Sequence, residues 1–184
     1  MADTKRQQRF ETLLREHRRI VFKVARVYAR DAFDRDDLAQ DIVAQLWRSF
    51  GAFDERRAKF STWMYRIALN VAISHARSAR RSGVRPLELL DSVHLETVAG
   101  SDAPHDEALE HGERLAMLYA FIGSLDALNR ALVLLYLDDR DYAEIAEVLG
   151  ISETNVATKL NRIKQKLRGQ MMAADAAGAK NGTR

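Results

Sequence analysis

At 184 residues the chain is long enough for one medium domain or two small ones, and 47% hydrophobic with 30% charged residues lets it bury a core and rules out disorder by composition. The absence of cysteine excludes disulfides, thiolate zinc sites, iron–sulfur clusters and cysteine nucleophiles together. The formal charge of +3, from 29 Lys and Arg against 26 Asp and Glu, names no partner. Nine glycines and two prolines leave long stretches free of helix breakers, so an all-α chain is expected. The polar start from Met1 to Arg9 does not read as a signal peptide, and no apolar run approaches the roughly 20 residues of a membrane span. A cytoplasmic protein with no membrane insertion is the expectation.

Three apolar-periodic segments fill the first half. Phe10, Leu13, Leu14, His17, Val21, Val24 and Tyr28 recur at three- and four-residue steps, which predicts a helix over about 6–29. A second helix is expected to begin after Asp34 or Asp36, carry Leu38, Ile42, Val43, Leu46, Trp47 and Phe50 inward, and end at Gly51. The third begins at Ser61, capped by Ser or Thr, and runs through Trp63, Met64, Ile67, Val71 and Ile73 toward Gly83. Beyond it, Leu115–Ile122 and Leu125–Leu137 predict two more helices joined near Gly123.

The small net charge is the sum of segregated blocks. Residues 61–87 hold five arginines (Arg66, Arg77, Arg80, Arg81, Arg85) and no acid. Residues 88–113 hold eight acids and no Lys or Arg, and both prolines, Pro86 and Pro104, lie in or beside that stretch. Residues 154–170 hold Lys159, Arg162, Lys164, Lys166 and Arg168 and again no acid. Two basic surfaces separated by an acidic linker suit a chain that meets a polyanion at two places. The expected organisation is therefore an N-terminal domain of three to four helices over 6–85, an acidic linker over 86–112, a C-terminal domain over 113–171 and a disordered tail over 172–184.

The C-terminal domain carries the sharpest motif. Asp141 with Glu144 opens a short helix over 142–149, Gly150 supplies the turn, and Ser152 caps a following helix whose apolar stripe is Val156, Leu160, Ile163 and Leu167. Ala146 at the crossing, Gly150 at the turn and Val156 as anchor, with Ile145, Leu149 and Ile151 around them, have the spacing of a helix-turn-helix. Ser152, Thr154, Asn155, Thr158, Lys159 and Arg162 are suited to base edges and phosphates.

The stretch YAEIAEVLGISETNVATKLNRIKQKL, residues 142–167, resembles the promoter-reading domain of bacterial sigma factors of the extracytoplasmic-function (ECF) group of the sigma-70 family, as does LDALNRALVLLYLDD before it. DDLAQDIVAQLW resembles the helix by which that group binds core polymerase, and FSTWMYRIALNVAISHAR its segment that opens the upstream edge of the transcription bubble. The similarity spans about 10–167. It departs at Ala127, where a proline is usual nearby, at Ser74, where an aspartate is common, and at Lys159, where arginine is frequent.

What the resemblance implies is a dissociable specificity subunit of RNA polymerase with no catalysis, cofactor or metal of its own. By it, Asp36, Asp37, Leu38, Gln40, Asp41, Ile42 and Trp47 dock on the clamp coiled coil of the largest polymerase subunit. Leu38, Ile42 and Trp47 have an alternative place in the internal core. Trp63, Tyr65 and Asn70 are implied to hold an unstacked base of the −10 element, with Arg66, Arg77, Arg80 and Arg81 on phosphates, although Trp63 equally suits buried packing. Ser152, Thr154, Asn155, Thr158, Lys159, Arg162 and Lys166 are implied to read the −35 element. An anti-sigma protein or other inhibitor is a further candidate partner. In the family the acidic linker passes through the polymerase's basic active-site and RNA-exit path. The alternative reading is a helix-turn-helix regulator that binds DNA without polymerase. An enzyme fits least, because the five histidines form no ligand pair on one helical face and there is no phosphate-binding glycine loop.

Overall fold

Phe10, Ile20, Val21, Val24, Ala25 and Tyr28 lie buried along one side of α1 (Ala2–Tyr28). In the computed structural model, which describes the backbone of residues 2–81 and 117–181 and side chains over 4–79, 81 and 117–172, α1 packs with α2 (Ala32–Ser49) and α3 (Phe60–Arg81). The expected linker over 86–112, with Arg85, lies outside the described residues. The remaining helices are α4, described over 117–124, α5 (Ala127–Leu137), α6 (Tyr142–Leu149) and α7 (Glu153–Asn181). Among the described residues there is no strand, and no helix is long and apolar enough to cross a membrane. The chain divides into two compact units, Met1–Ala127 and Leu128–Arg184.

In the first unit, α2 starts earlier than the acids at 34 and 36 suggest. Asp31 is its N-cap, accepting a hydrogen bond of 2.8 Å from the Asp34 backbone N–H. The α-helix ends at Ser49 and tightens into a 3₁₀ turn, Phe50–Ala52, so Gly51 sits inside the turn. Helix α3 begins at Phe60, one residue before the serine expected to cap it, with the Lys59 carbonyl accepting from the Trp63 N–H at 3.1 Å. Its buried face is Phe60, Met64, Tyr65, Ala68, Leu69 and Ala72. Ile67 and Val71, expected in the core, are only half-buried. The alanines explain the rotation: Ala68 and Ala72 let neighbouring helix backbones approach, so the small side chains turn inward and the branched ones lie at the margin.

Gly123 falls within α4, and the break before α5 comes at Leu125 and Asp126. In the second unit, Ala131, Leu132, Val133, Leu134 and Leu135 of α5, Ile145 and Val148 of α6 and Val156, Leu160 and Ile163 of α7 are buried. Leu149 and Ile151 are half-buried. Asp141 caps α6 through the Glu144 N–H at 2.7 Å, and Gly150 ends it in the left-handed region at φ 67°. Ser152 caps α7 through the Asn155 N–H at 3.3 Å. Helix α7 continues past 171 to Asn181, where a disordered tail was expected. The alanine-rich run Met171–Ala179 contains no proline and has high helix propensity, which polarity alone did not reveal.

Candidate nucleic-acid interface

The α2–α3 pairing creates the first candidate surface. Helix α2 buries Asp34, Leu38, Ile42 and Leu46 at steps of four and turns Asp36, Asp37, Gln40 and Asp41 to solvent. The exposed acids form a face that can meet a basic partner. Leu38 and Ile42 do not belong to it: both are fully buried, so their expected role in a polymerase contact is replaced by core packing, the alternative their periodicity allowed. Trp47 is half-buried, 5.2 Å from the Phe10 ring, with the Arg6 guanidinium 5.1 Å from its own ring.

A groove of about 550 Å³ runs between α2 and α3, lined by Asp41, Gln45 and Arg48 on one side and Asn70, Ser74 and His75 on the other. It brings together Asp41 and Asn70, which sequence reasoning had given to different partners. Amides, hydroxyls, a carboxylate and a guanidinium offer donors and acceptors of every kind a base edge or a peptide backbone presents.

Asp34 locks one end of this arrangement. Its carboxylate accepts from the Arg30 backbone N–H at 2.7 Å, from the Arg30 guanidinium at 3.1 and 2.8 Å, and from His75 Nε2 at 2.9 Å. The Arg30 side chain, chiefly, with help from its N–H and from His75, holds the Asp34 carboxyl down to about 2 against the cost of burial. The clamp fixes the start of α2 to α3 at His75, between Arg66 and Arg77.

Those arginines face solvent. Arg66, Arg77 and Arg81 are exposed, as is Asn70, while the Arg80 side chain lies outside the described set. Trp63 is half-buried in an aromatic cluster, 5.0 Å from Phe53, 5.3 Å from Phe60 and 6.3 Å from Phe50 by ring centroids. Part of its ring remains available at the edge of the cluster. Tyr65 is fully buried, so it packs the core and does not offer a ring to a base, which corrects its expected role.

The connector ahead of α3 carries cations that sequence reasoning passed over. Arg56, Arg57 and Lys59 are exposed beside Phe53 and Phe60. The Arg56 guanidinium donates to Asp54 at 3.0 and 2.9 Å and keeps that carboxyl below the usual carboxylate range, while Arg9 pairs with Glu55. The signal was present as three cations within four residues, immediately before an aromatic pair at Phe60 and Trp63.

The second surface is the outward face of α7. Ser152, Thr154, Asn155, Thr158, Arg162 and Lys166 are exposed and Lys159 is half-buried, all set against the buried anchor of Val156, Leu160 and Ile163. After Glu153 no acid interrupts the helix until Asp175. Lys164 is used internally, its ammonium 4.0 Å from the centroid of the Tyr136 ring. Short polar side chains at the start of a helix whose later turns are cationic can read base edges while phosphates hold the register.

Comparison with known proteins assigns these two surfaces to one family. Residues 13–82 match Sigma-70 region 2 and residues 115–167 match Sigma-70 region 4, in that order. The chain is 28% identical over 142 residues to the ECF RNA polymerase sigma factor SigW of Bacillus subtilis, with 75% of each chain covered. It is 27% identical over 158 residues to the ECF RNA polymerase sigma factor SigM of Mycobacterium tuberculosis, covering 86% of this chain and 74% of that one. Its fold is similar to CnrH, solved in complex with the cytosolic domain of CnrY, at 24% identity and TM-score 0.63 over 91% of this chain and 90% of that one. It is also similar to the sigma factor RpoE in complex with the anti-sigma factor NepR from Bartonella quintana, at 17% identity and TM-score 0.64 over 94% and 98%. With both regions matched and relatives aligned across the stretch between them, the chain belongs to the sigma-70 family, as an RNA polymerase sigma factor of the ECF group.

Proposed function

We propose that the chain binds core RNA polymerase and directs transcription initiation at promoters that it reads at two elements. The observation that carries this reading is the pairing of two uninterrupted cationic helix faces, on α3 and α7, with an acidic face on α2. Asp36, Asp37, Gln40 and Asp41 dock on the clamp coiled coil of the largest polymerase subunit. Asn70 and the exposed edge of Trp63 hold an unstacked base at the −10 element, where stacking supplies about 1–3 kcal/mol per base. Arg66, Arg77, Arg80 and Arg81, joined by Arg56, Arg57 and Lys59, neutralise phosphates there. Ser152, Thr154, Asn155, Thr158, Lys159, Arg162 and Lys166 read the −35 element in the major groove.

The protein acts as a non-catalytic cytoplasmic subunit and recruits no cofactor. The eight acids of 88–113 keep the connector between the two DNA-binding parts off DNA and suit it to a basic path through the polymerase. An anti-sigma protein that covers the α2 face or the α7 face holds it inactive. In vitro transcription with core polymerase over a fragment library of the source genome tests the reading: transcripts that depend on the added chain and share paired upstream motifs support it. Sequence-specific binding by the chain alone, with no change in polymerase output, contradicts it.

A further inference from the structure

The outward face of α1 has no part in the roles given so far. Arg15, Arg18, Arg19, Phe22, Lys23 and Arg26 stand at i, i+3, i+4, i+7, i+8 and i+11, which places them on a single face, and all six are exposed. Phe22 is 58% exposed in the middle of five cations, and the one acid between 15 and 26, the exposed Glu16, lies at the margin of the stripe beside Lys23. The opposite side of the same turns, Ile20, Val21, Val24 and Ala25, is buried, so core packing holds the stripe outward. Arg15, Arg18 and Arg19 make no hydrogen bond or ion pair among the described residues, whereas the Arg26 guanidinium lies 5.0 Å from the Tyr119 ring.

We propose that this face of α1 binds the backbone and one base of a single strand of promoter DNA, as a third nucleic-acid surface beside those on α3 and α7. The inference rests on the sigma reading above and adds the strand state and the residues. The chemistry selects the occupant. A helix that reads duplex sequence offers small amides and hydroxyls to base edges, as α7 does with Asn155 and Thr158. The α1 stripe has none, only guanidiniums, an ammonium and one exposed ring, which is the combination that tracks phosphates and stacks an unpaired base whatever its identity. From residue 15 to 26 the stripe extends about 16 Å at 1.5 Å per residue, long enough to lie along several consecutive phosphates of one strand. Because α1 packs against α3, the stripe belongs to the same unit as the arginines that meet the −10 element.

The test uses holoenzyme with the full chain, on a promoter carrying a pre-melted bubble and on the same promoter as intact duplex. One variant is R15Q/R18Q/R19Q and the other is Phe22→Ala, with affinity for core polymerase measured separately for each. The triple variant is expected to bind the bubble more weakly, with the slope of log K against log salt reduced in magnitude by about 2, as for three phosphates on a single strand. Phe22→Ala is expected to lose on the order of tenfold on the bubble with no change in slope. Duplex binding and core affinity stay unchanged in both. A loss of equal size on duplex and bubble, an unchanged bubble affinity, or a loss of core affinity, which marks the stripe as a docking face for an acidic protein, each overturns the proposal. If the wild-type holoenzyme itself does not prefer this promoter over a scrambled one, the sigma reading fails, a result distinct from these three.

Discussion

Asp34 is the residue whose environment has the plainest consequence for stability. Its carboxyl sits at about 2 in the folded protein, below its ordinary 3.8, because Arg30 and His75 bind the ionised form. A depressed folded value means the stabilisation is present in full above the unfolded value and is lost as pH falls from about 4 toward 2, on the order of 2 kcal/mol. Acid unfolding followed by far-ultraviolet circular dichroism is expected to show that loss, and Asp34→Asn, already destabilised at neutral pH, is expected to flatten it. A second contrast separates packing from contact. Tyr65→Ala opens the core and is expected to lower stability by about 3–5 kcal/mol in thermal melts. Asn70→Ala, at an exposed position, is expected to leave the melt within about 0.5 kcal/mol, while transcription from chain-dependent promoters falls.

Among the elements, the turn between α6 and α7 makes the helix-turn-helix. Gly150 has φ 67°, and a Cβ added there meets nothing within 4 Å, so the cost of Gly150→Ala is conformational alone. About 1–2 kcal/mol is expected, read as a lower unfolding midpoint with binding to the −35 element intact once folded. Arg162→Ala is expected to cost about 1–3 kcal/mol in binding, with relaxed preference at one base pair if the guanidinium touches a base edge and a uniform loss if it touches phosphate; binding to a panel of single-base promoter variants tells the two apart. The helix-turn-helix was legible because its signals are local: a cap at Asp141, a turn glycine and an apolar stripe within one short segment. The existence of α1, α2 and α3 was legible for the same reason. Which side of α3 turns inward was not, because Ala68 and Ala72 carry little hydrophobic signal yet are fully buried. The Asp34–His75 bond joins residues 41 positions apart and has no mark in local pattern. The burial of Tyr65 depends on its neighbours across the unit, so a tyrosine near a tryptophan and arginines read as a stacking platform until the packing was known. The stripe on α1 has no acid-free run to mark it, because Glu16 interrupts it in sequence while lying at its margin on the helix.

For the whole molecule, a net charge of +3 is the sum of opposed surfaces that meet different partners. On the proposed reading, cations of the two units act together on one promoter in the holoenzyme. The seven cations of 56–81 proposed for the −10 element and Lys159, Arg162 and Lys166 of α7, with Lys164 engaged on Tyr136, bring about ten phosphates into play. The direct measurement is the salt dependence of holoenzyme binding to a promoter kept as closed duplex, with each element deleted in turn. The account expects log K to fall against log salt with a slope near −9 on the intact promoter, about −6 when the −35 element is removed and about −3 when the −10 element is removed. A slope near −4 on the intact promoter, unchanged by deleting one element, would contradict reading at two surfaces.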